Sequence, residues 1–292
     1  MGKRQIREII LGENLAVLQK LQPKSVELIY IDPPFNTGRK QQLKRIRVKA
    51  GEERELGDRV GFGGRAYSSE VLSSHSYSDN YDDYINFLRV RCEAAKHLLT
   101  DNGSFFLHVD YREVHYCKVM LDQIFGRAGF MNEIIWAYDY GGRSKRRWSA
   151  KHDNILWYVN NPNDYIYNYS AVDRIPYIAP GLVTPEKAAR GKTPTDVWWN
   201  TIVPTNSKER TGYPTQKPLA ILERIVRVHS APGDTVLDFF AGSGTTGVAA
   251  VKNNRNFILI DENPVAVAVS EKRLAEYHPE IINRTKFSAP CV

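Results

Sequence analysis

Thr235-Val-Leu-Asp-Phe-Phe-Ala-Gly-Ser-Gly-Thr-Thr-Gly247 decides the fold of this chain. A short strand, 235–239, meets the glycine turn Ala241-Gly242-Ser243-Gly244 and passes straight into a helix of small residues ending near Asn253. The next apolar run, 257–260, ends at Asp261, 19 residues after Gly242. A helix at 218–229 precedes this unit and one at 264–277 follows it. Strands alternating with helices predict a mostly parallel sheet covered on both faces, a Rossmann-like doubly wound α/β fold.

Gly242 to Gly247 reads G-x-G-x-x-G between a strand and a helix. Glycines there let the backbone come close to a nucleoside, and Asp261 stands where an acid accepts hydrogen bonds from ribose hydroxyls. The pattern suits NAD, FAD or S-adenosylmethionine (SAM). Two features favour SAM. Asp238, just before the turn, would repel a pyrophosphate but accept from an ammonium group. No second βαβ half follows to hold another nucleotide.

Working back to the N-terminus, a helix is expected at 14–21 with Asn14 as its cap. The compact apolar run 26–31 is a buried strand, and it stops at Asp32-Pro33-Pro34-Phe35. Residues 36–80 are rich in glycine and carry the basic run Arg39, Lys40, Lys44, Arg45, Arg47, Lys49. They are read as a mobile loop without regular structure. Next come a helix at 81–99 closed by Asn102-Gly103, a strand at 104–109 and a helix at 113–125. Two strands, 133–138 and 154–159, flank the basic-aromatic loop 141–152. Residues 160–212 are irregular and read as a target-recognition insertion, and 1–292 as a single domain.

Composition narrows the class. The chain is 42% hydrophobic, enough for a sizeable core, yet no apolar run reaches the ~18 residues that span a membrane. The start shows no secretory pattern, so a cytoplasmic location is expected. Cys92, Cys117 and Cys291 are too scattered for a disulfide framework or a metal site. The net charge of +7 admits a polyanionic partner without requiring one.

Asp32-Pro33-Pro34-Phe35 follows a buried strand and so falls at the carboxyl end of the sheet, where open α/β folds bind ligands. An exocyclic amine is a poor nucleophile because its lone pair is delocalised into the base. Acceptors on both amino hydrogens favour the pyramidal form, with the lone pair aimed at a methyl donor. Asp32 supplies one acceptor. The carbonyl of Pro33, fixed by the ring, can be the second. Phe35 offers a face on which an extruded base can stack.

Asp32-Pro-Pro-Phe together with Asp238-Phe-Phe-Ala-Gly-Ser-Gly-Thr-Thr resembles the amino-methyltransferases of DNA. The order, catalytic turn first and SAM turn last, is similar to their circularly permuted β class, of the class I SAM methyltransferase fold. Tyr213-Pro-Thr-Gln-Lys-Pro218 resembles the segment that completes the SAM pocket there. The resemblance assigns catalysis to Asp32, Pro33, Pro34 and Phe35. It assigns the cofactor to Thr215, Gln216, Lys217, Pro218, Asp238, Phe240, Ala241, Gly242, Ser243, Gly244, Thr245, Thr246, Asp261 and Glu262. Glu13 stands where the family has an aspartate facing the SAM adenine.

Arg143, Lys145, Arg146, Arg147 and Trp148 combine charge for phosphates with an aromatic, and Trp136, Tyr138 and Tyr140 lie just before them. Duplex DNA is the expected partner, with a homodimer and a cognate restriction endonuclease as further ones, and no metal is expected. The implied reaction is methylation of adenine N6. N4-cytosine methylation is the rival, since it uses the same chemistry on a similar amine; members of that kind more often carry Ser where Asp32 stands, which favours adenine.

Overall fold

The computed structural model describes residues 5–36, 41–50, 59–60, 66–77 and 83–284. In chain order its elements are β1 (Arg7–Leu11), α1 (Asn14–Leu18), β2 (Val26–Ile31), β3 (Gln41–Ala50), β4 (Arg59–Val60), β5 (Ala66–Tyr77), α2 (Tyr84–Leu98), β6 (Leu99–Val109) and α3 (Val114–Phe125). They continue with β7 (Phe130–Ala137), β8 (His152–Val159), α4 (Pro185–Arg190), β9 (Val197–Trp199), α5 (Leu219–His229), β10 (Thr235–Asp238), α6 (Thr245–Lys252), β11 (Asn256–Asp261), α7 (Pro264–Leu274) and β12 (Glu280–Asn283).

Val26, Leu28, Ile29, Tyr30 and Ile31 of β2 are all buried, as are all four residues of β10. Continuous burial marks strands covered on both faces, the signature of a parallel sheet. The main sheet runs β12-β1-β11-β10-β2-β6-β8-β7-β9. Pairing is parallel from β12 through β6, and β8 runs antiparallel to both β6 and β7. β10 and β2 are neighbours, with Val236 opposite Leu28 and Leu237 opposite Ile29. From that pair the chain builds outward in opposite directions, β2 toward β6 and β10 toward β11. The crevice at the carboxyl ends of such a pair is where these sheets hold ligands.

β3, β4 and β5 belong to a separate unit and form an antiparallel sheet in the order β3-β5-β4. The expectation of no regular structure over 36–80 is corrected here. Arg45, Arg47 and Lys49 alternate with Ile46, Val48 and Ala50, the two-residue period of a strand. The register slips once, between Arg45 and Ile46, where Leu72 of β5 is skipped. Arg39 and Lys40 lie outside the described residues.

Asn102-Gly103 does not close a helix. α2 ends at Leu98, and Asn102-Gly103 sits inside β6 at an irregularity in its pairing with β2. Gly103 is required because an added Cβ would lie 2.9 Å from Leu99 Cδ2 and 3.1 Å from the Glu27 carbonyl oxygen. β1 and β12 extend the sheet beyond the predicted strands. β9, from the 160–212 stretch, pairs with β7 and forms the opposite edge. Among the described residues no helix is long and apolar enough to cross a membrane.

Candidate active site

The glycine turn joins β10 to α6 through two left-handed residues, Gly242 (φ +50°) and Gly244 (φ +73°). Gly247 serves packing instead. A Cβ there would lie 2.8 Å from Leu259 Cδ1 and 2.9 Å from Leu274 Cδ1, so its absence lets α6 lie close against the sheet and α7. The Gly242 N–H donates to Asp261 Oδ2 at 2.8 Å, and the Asn263 N–H to Oδ1 at 2.9 Å. Asp238 Oδ1 accepts from the Phe240 N–H at 3.0 Å, and Oδ2 from the Thr246 hydroxyl at 2.6 Å.

Burial pushes the Asp238 carboxyl up to about 7, against the hydrogen bonds from Thr246 and Phe240, with Asp32 and Asp261 adding to the rise. Burial likewise pushes Asp261 up to about 6. Neither acid pairs with a positive side chain among the described residues. A buried carboxyl and a half-buried one, both reluctant to ionise, suit a cationic ligand, and SAM carries an ammonium and a sulfonium.

The neighbouring cofactor candidates fall into two groups. Ala241 is buried, and the hydroxyls of Ser243 and Thr245 bond each other and Arg273. Phe240 is half-buried, its ring 6.1 Å from that of Phe87, and Glu262 is exposed. Glu13 caps α1: Oε1 accepts from the Leu15 N–H and Oε2 from the Ala16 N–H. Arg91 donates to Glu13 Oε1 at 2.6 Å and to Asn14 Oδ1 at 2.6 Å. Asn14 in turn donates to the Phe239 carbonyl, so this corner is tied to the glycine turn.

Thr215, Gln216, Lys217 and Pro218 form the approach to α5. Thr215 has φ +57°, and the Gln216 amide is fixed to Thr211 and to the Glu209 carbonyl. Lys217 faces the catalytic turn. Its Nζ lies 2.5 Å from Asp32 Oδ2 and 4.8 Å from the centre of the Phe35 ring. Asp32 Oδ1 is buried with no hydrogen-bond partner. Pro33 is buried, while Pro34 and Phe35 are half-buried.

Beside this turn, Tyr30, His108 and Asp153 are not among the sequence candidates. His108, fully buried at the end of β6, bonds Tyr30 Oη through Nδ1 at 2.7 Å and Asp153 Oδ2 through Nε2 at 3.2 Å. Tyr138 donates to Asp153 Oδ1 at 3.0 Å, and the His108 ring is 5.8 Å from that of Phe35. Burial raises the Asp153 carboxyl, but His108, Lys217 and Tyr138 outweigh it and leave it below its ordinary range. The available signal was a lone polar residue, His108, in the otherwise apolar run Phe105 to Val109.

Arg143 to Trp148 lie in the loop from β7 to β8 and are all exposed, Trp148 at 99%. β7 runs parallel to β2, so this loop leaves the sheet at the same, carboxyl end as Asp32 and the glycine turn. Arg143 pairs with Asp139. Of the aromatics before the loop, Trp136 is buried and donates to the Asn200 carbonyl, so it offers no face to a base. Tyr138 is half-buried and Tyr140 is exposed.

A family model described as DNA methylase, covering N6 and N4 methyltransferases, matches residues 26–272. The DNA adenine methyltransferase YhdJ of Escherichia coli K12 is 27% identical over 97% of this chain and 88% of its own. The crystal structure of the M1.HpyAVI–SAM complex matches with a TM-score of 0.58 at 22% identity, covering 91% of this chain and 98% of that one. The cytosine-N4-specific PvuII DNA methyltransferase matches with a TM-score of 0.63 at 15% identity, covering 96% of this chain and 95% of that one. The two acids of the glycine turn, the acid-proline-proline-aromatic turn beside them and the match across most of the sheet agree: the chain belongs to the N6/N4 DNA methylase family and is a SAM-dependent DNA methyltransferase.

Proposed function

We propose that the chain methylates N6 of an adenine turned out of duplex DNA. The observation that carries this reading is Asp32, whose Oδ1 is buried without a partner while its Oδ2 holds Lys217, itself 4.8 Å from the centre of the Phe35 ring. An unsatisfied buried oxygen is costly unless a ligand group completes it. SAM, when bound, supplies the methyl group. Asp32 Oδ1 accepts one amino hydrogen and the Pro33 carbonyl accepts the other. Held this way, the nitrogen would present its lone pair to that methyl group; the donor would leave as a neutral thioether, and the amino proton would pass to solvent, leaving a neutral methylamine. Phe35 holds the extruded base by stacking, while Arg143, Lys145, Arg146 and Arg147 hold phosphates.

N4-cytosine methylation uses the same geometry on a similar amine, and the fold shared with the PvuII enzyme keeps it as a second reading. An aspartate at position 32 and the similarity to a protein named as an adenine methyltransferase favour adenine. Incubation with methyl-labelled SAM and duplex DNA, followed by digestion to nucleosides, decides between them. Label in N6-methyldeoxyadenosine is expected, and label in N4-methyldeoxycytidine would replace the first reading with the second.

A further inference from the structure

Lys217 comes from the segment assigned to the cofactor, yet its ammonium is spent on Asp32, 185 residues away. Its side chain is only 10% exposed and that of Asp32 17%, so water screens the pair poorly. Asp32 stands among other acids. Asp238 feels its charge, and Lys217 is the cation that also bears on Asp153. The contact divides the carboxylate: Oδ2 is taken and Oδ1 is left buried and free. The lysine backbone is fixed too, since its carbonyl accepts from the Thr245 hydroxyl of the glycine turn at 3.3 Å.

We infer that Lys217 is the positioning residue of the catalytic acid, a single-point anchor that holds Asp32 Oδ2 and so presents Oδ1 to the amino group of the base. This rests on the reading of Asp32 as the amine's acceptor. An ammonium suits the task because it is a point charge. A guanidinium is a fork that engages both oxygens of a carboxylate and would occupy the one the substrate needs. Lys217 also touches both turns, the glycine turn through its carbonyl and the catalytic turn through its ammonium, so its position depends on each.

The test measures methyl transfer and SAM affinity in Lys217→Met, Lys217→Arg, Asp32→Asn and the double variant Asp32→Asn with Lys217→Met. A displaced catalytic group costs about 100-fold. That loss is expected in kcat for Lys217→Met, with the Kd for SAM by calorimetry within about twofold of wild type. The unchanged Kd also reports that the protein is folded. Lys217→Arg keeps the cation and is expected to lose kcat as well. In the Asp32→Asn background, followed by single-turnover labelling, Lys217→Met should add no further loss. Wild-type kcat in Lys217→Met overturns the inference. So does weakened SAM binding at intact kcat, which would return Lys217 to the cofactor pocket, or a full additional loss in the double variant. Full activity in Lys217→Arg overturns the single-point anchor. A wild-type protein that transfers no methyl group to any base would sink the reading of Asp32 itself.

Discussion

SAM affinity should depend on pH through Asp238. This carboxyl is 3% exposed and is pushed up to about 7, whereas in an unfolded chain it titrates near 3.8. The shift is a rise, so Asp238 favours the folded state most when protonated. Its contribution to the stability of the ligand-free protein is therefore largest in acid and is lost as pH rises from about 4 through 7. A cationic ligand reverses the preference, because it binds the ionised form and expels the proton. With a single site at about 7, the apparent Kd grows as one plus the ratio of protonated to ionised carboxyl. Between pH 7.5 and pH 6 that is a weakening of about eightfold. Asp261, pushed up to about 6, roughly doubles it if its carboxylate also contacts the ligand. In this window the ligand's own α-amino group, with an ordinary value of about 7.7–8.0, is mainly charged and offsets the effect by only about 1.3–1.6-fold. Calorimetry at several pH values, in buffers of different ionisation enthalpy, measures both the Kd and the protons released. Asp238→Asn should bind SAM more weakly at pH 7.5 and lose most of the pH dependence. A flat Kd without proton release in the wild type, or an unchanged pH dependence in Asp238→Asn, would refute the argument.

Other perturbations separate the remaining parts of the site. Asp32→Ala should abolish methyl transfer while SAM binding stays within about threefold, since Asp32 faces the base; near wild-type turnover would remove it from catalysis. Gly244→Val should lose SAM and melt earlier, because Gly244 has φ +73° and a Cβ there would lie 2.7 Å from Ser270 Oγ, which itself donates to the Gly242 carbonyl. The left-handed backbone and overpacking together are worth roughly 2–5 kcal/mol, so a melt matching wild type with SAM still bound would contradict this. Replacing Arg143, Lys145, Arg146 and Arg147 with Ala should weaken binding to all duplexes alike. Since Arg143 is already paired with Asp139, the log–log salt slope should flatten by roughly 3 rather than 4 units, and an unaltered slope would place the phosphate contacts elsewhere.

The C-terminal half of the sheet was legible because each signal there is local. Val236 and Leu237 of β10 lead directly into a glycine turn, and α6 begins at once. β1 escaped notice because only Ile9, Ile10 and Leu11 follow two charged residues, and β12 because it is a largely exposed edge. β3 was hidden by its own charge: a count of lysines and arginines finds a basic run where alternation would have found a strand. In the candidate site, both turns could be located in the sequence, yet the links between them could not. His108, Asp153 and Lys217 acquire their meaning only from residues far along the chain. Sequence spacing carries no record of the distance between Lys217 and Asp32.

The adjacency of β2 and β10 has a consequence for how the protein is made. A ribosome adding ~5–20 residues per second takes roughly 10–40 s to travel the 185 residues from Asp32 to Lys217. β6 emerges early enough to cover one side of β2, but the edge that β10 will fill stays open throughout. Nascent chains in that interval present an apolar strand with unpaired backbone, the kind of surface that recruits chaperones or a second nascent chain. Slowing translation between residues 110 and 230 should therefore lower the yield of active enzyme, while the finished protein keeps the same stability.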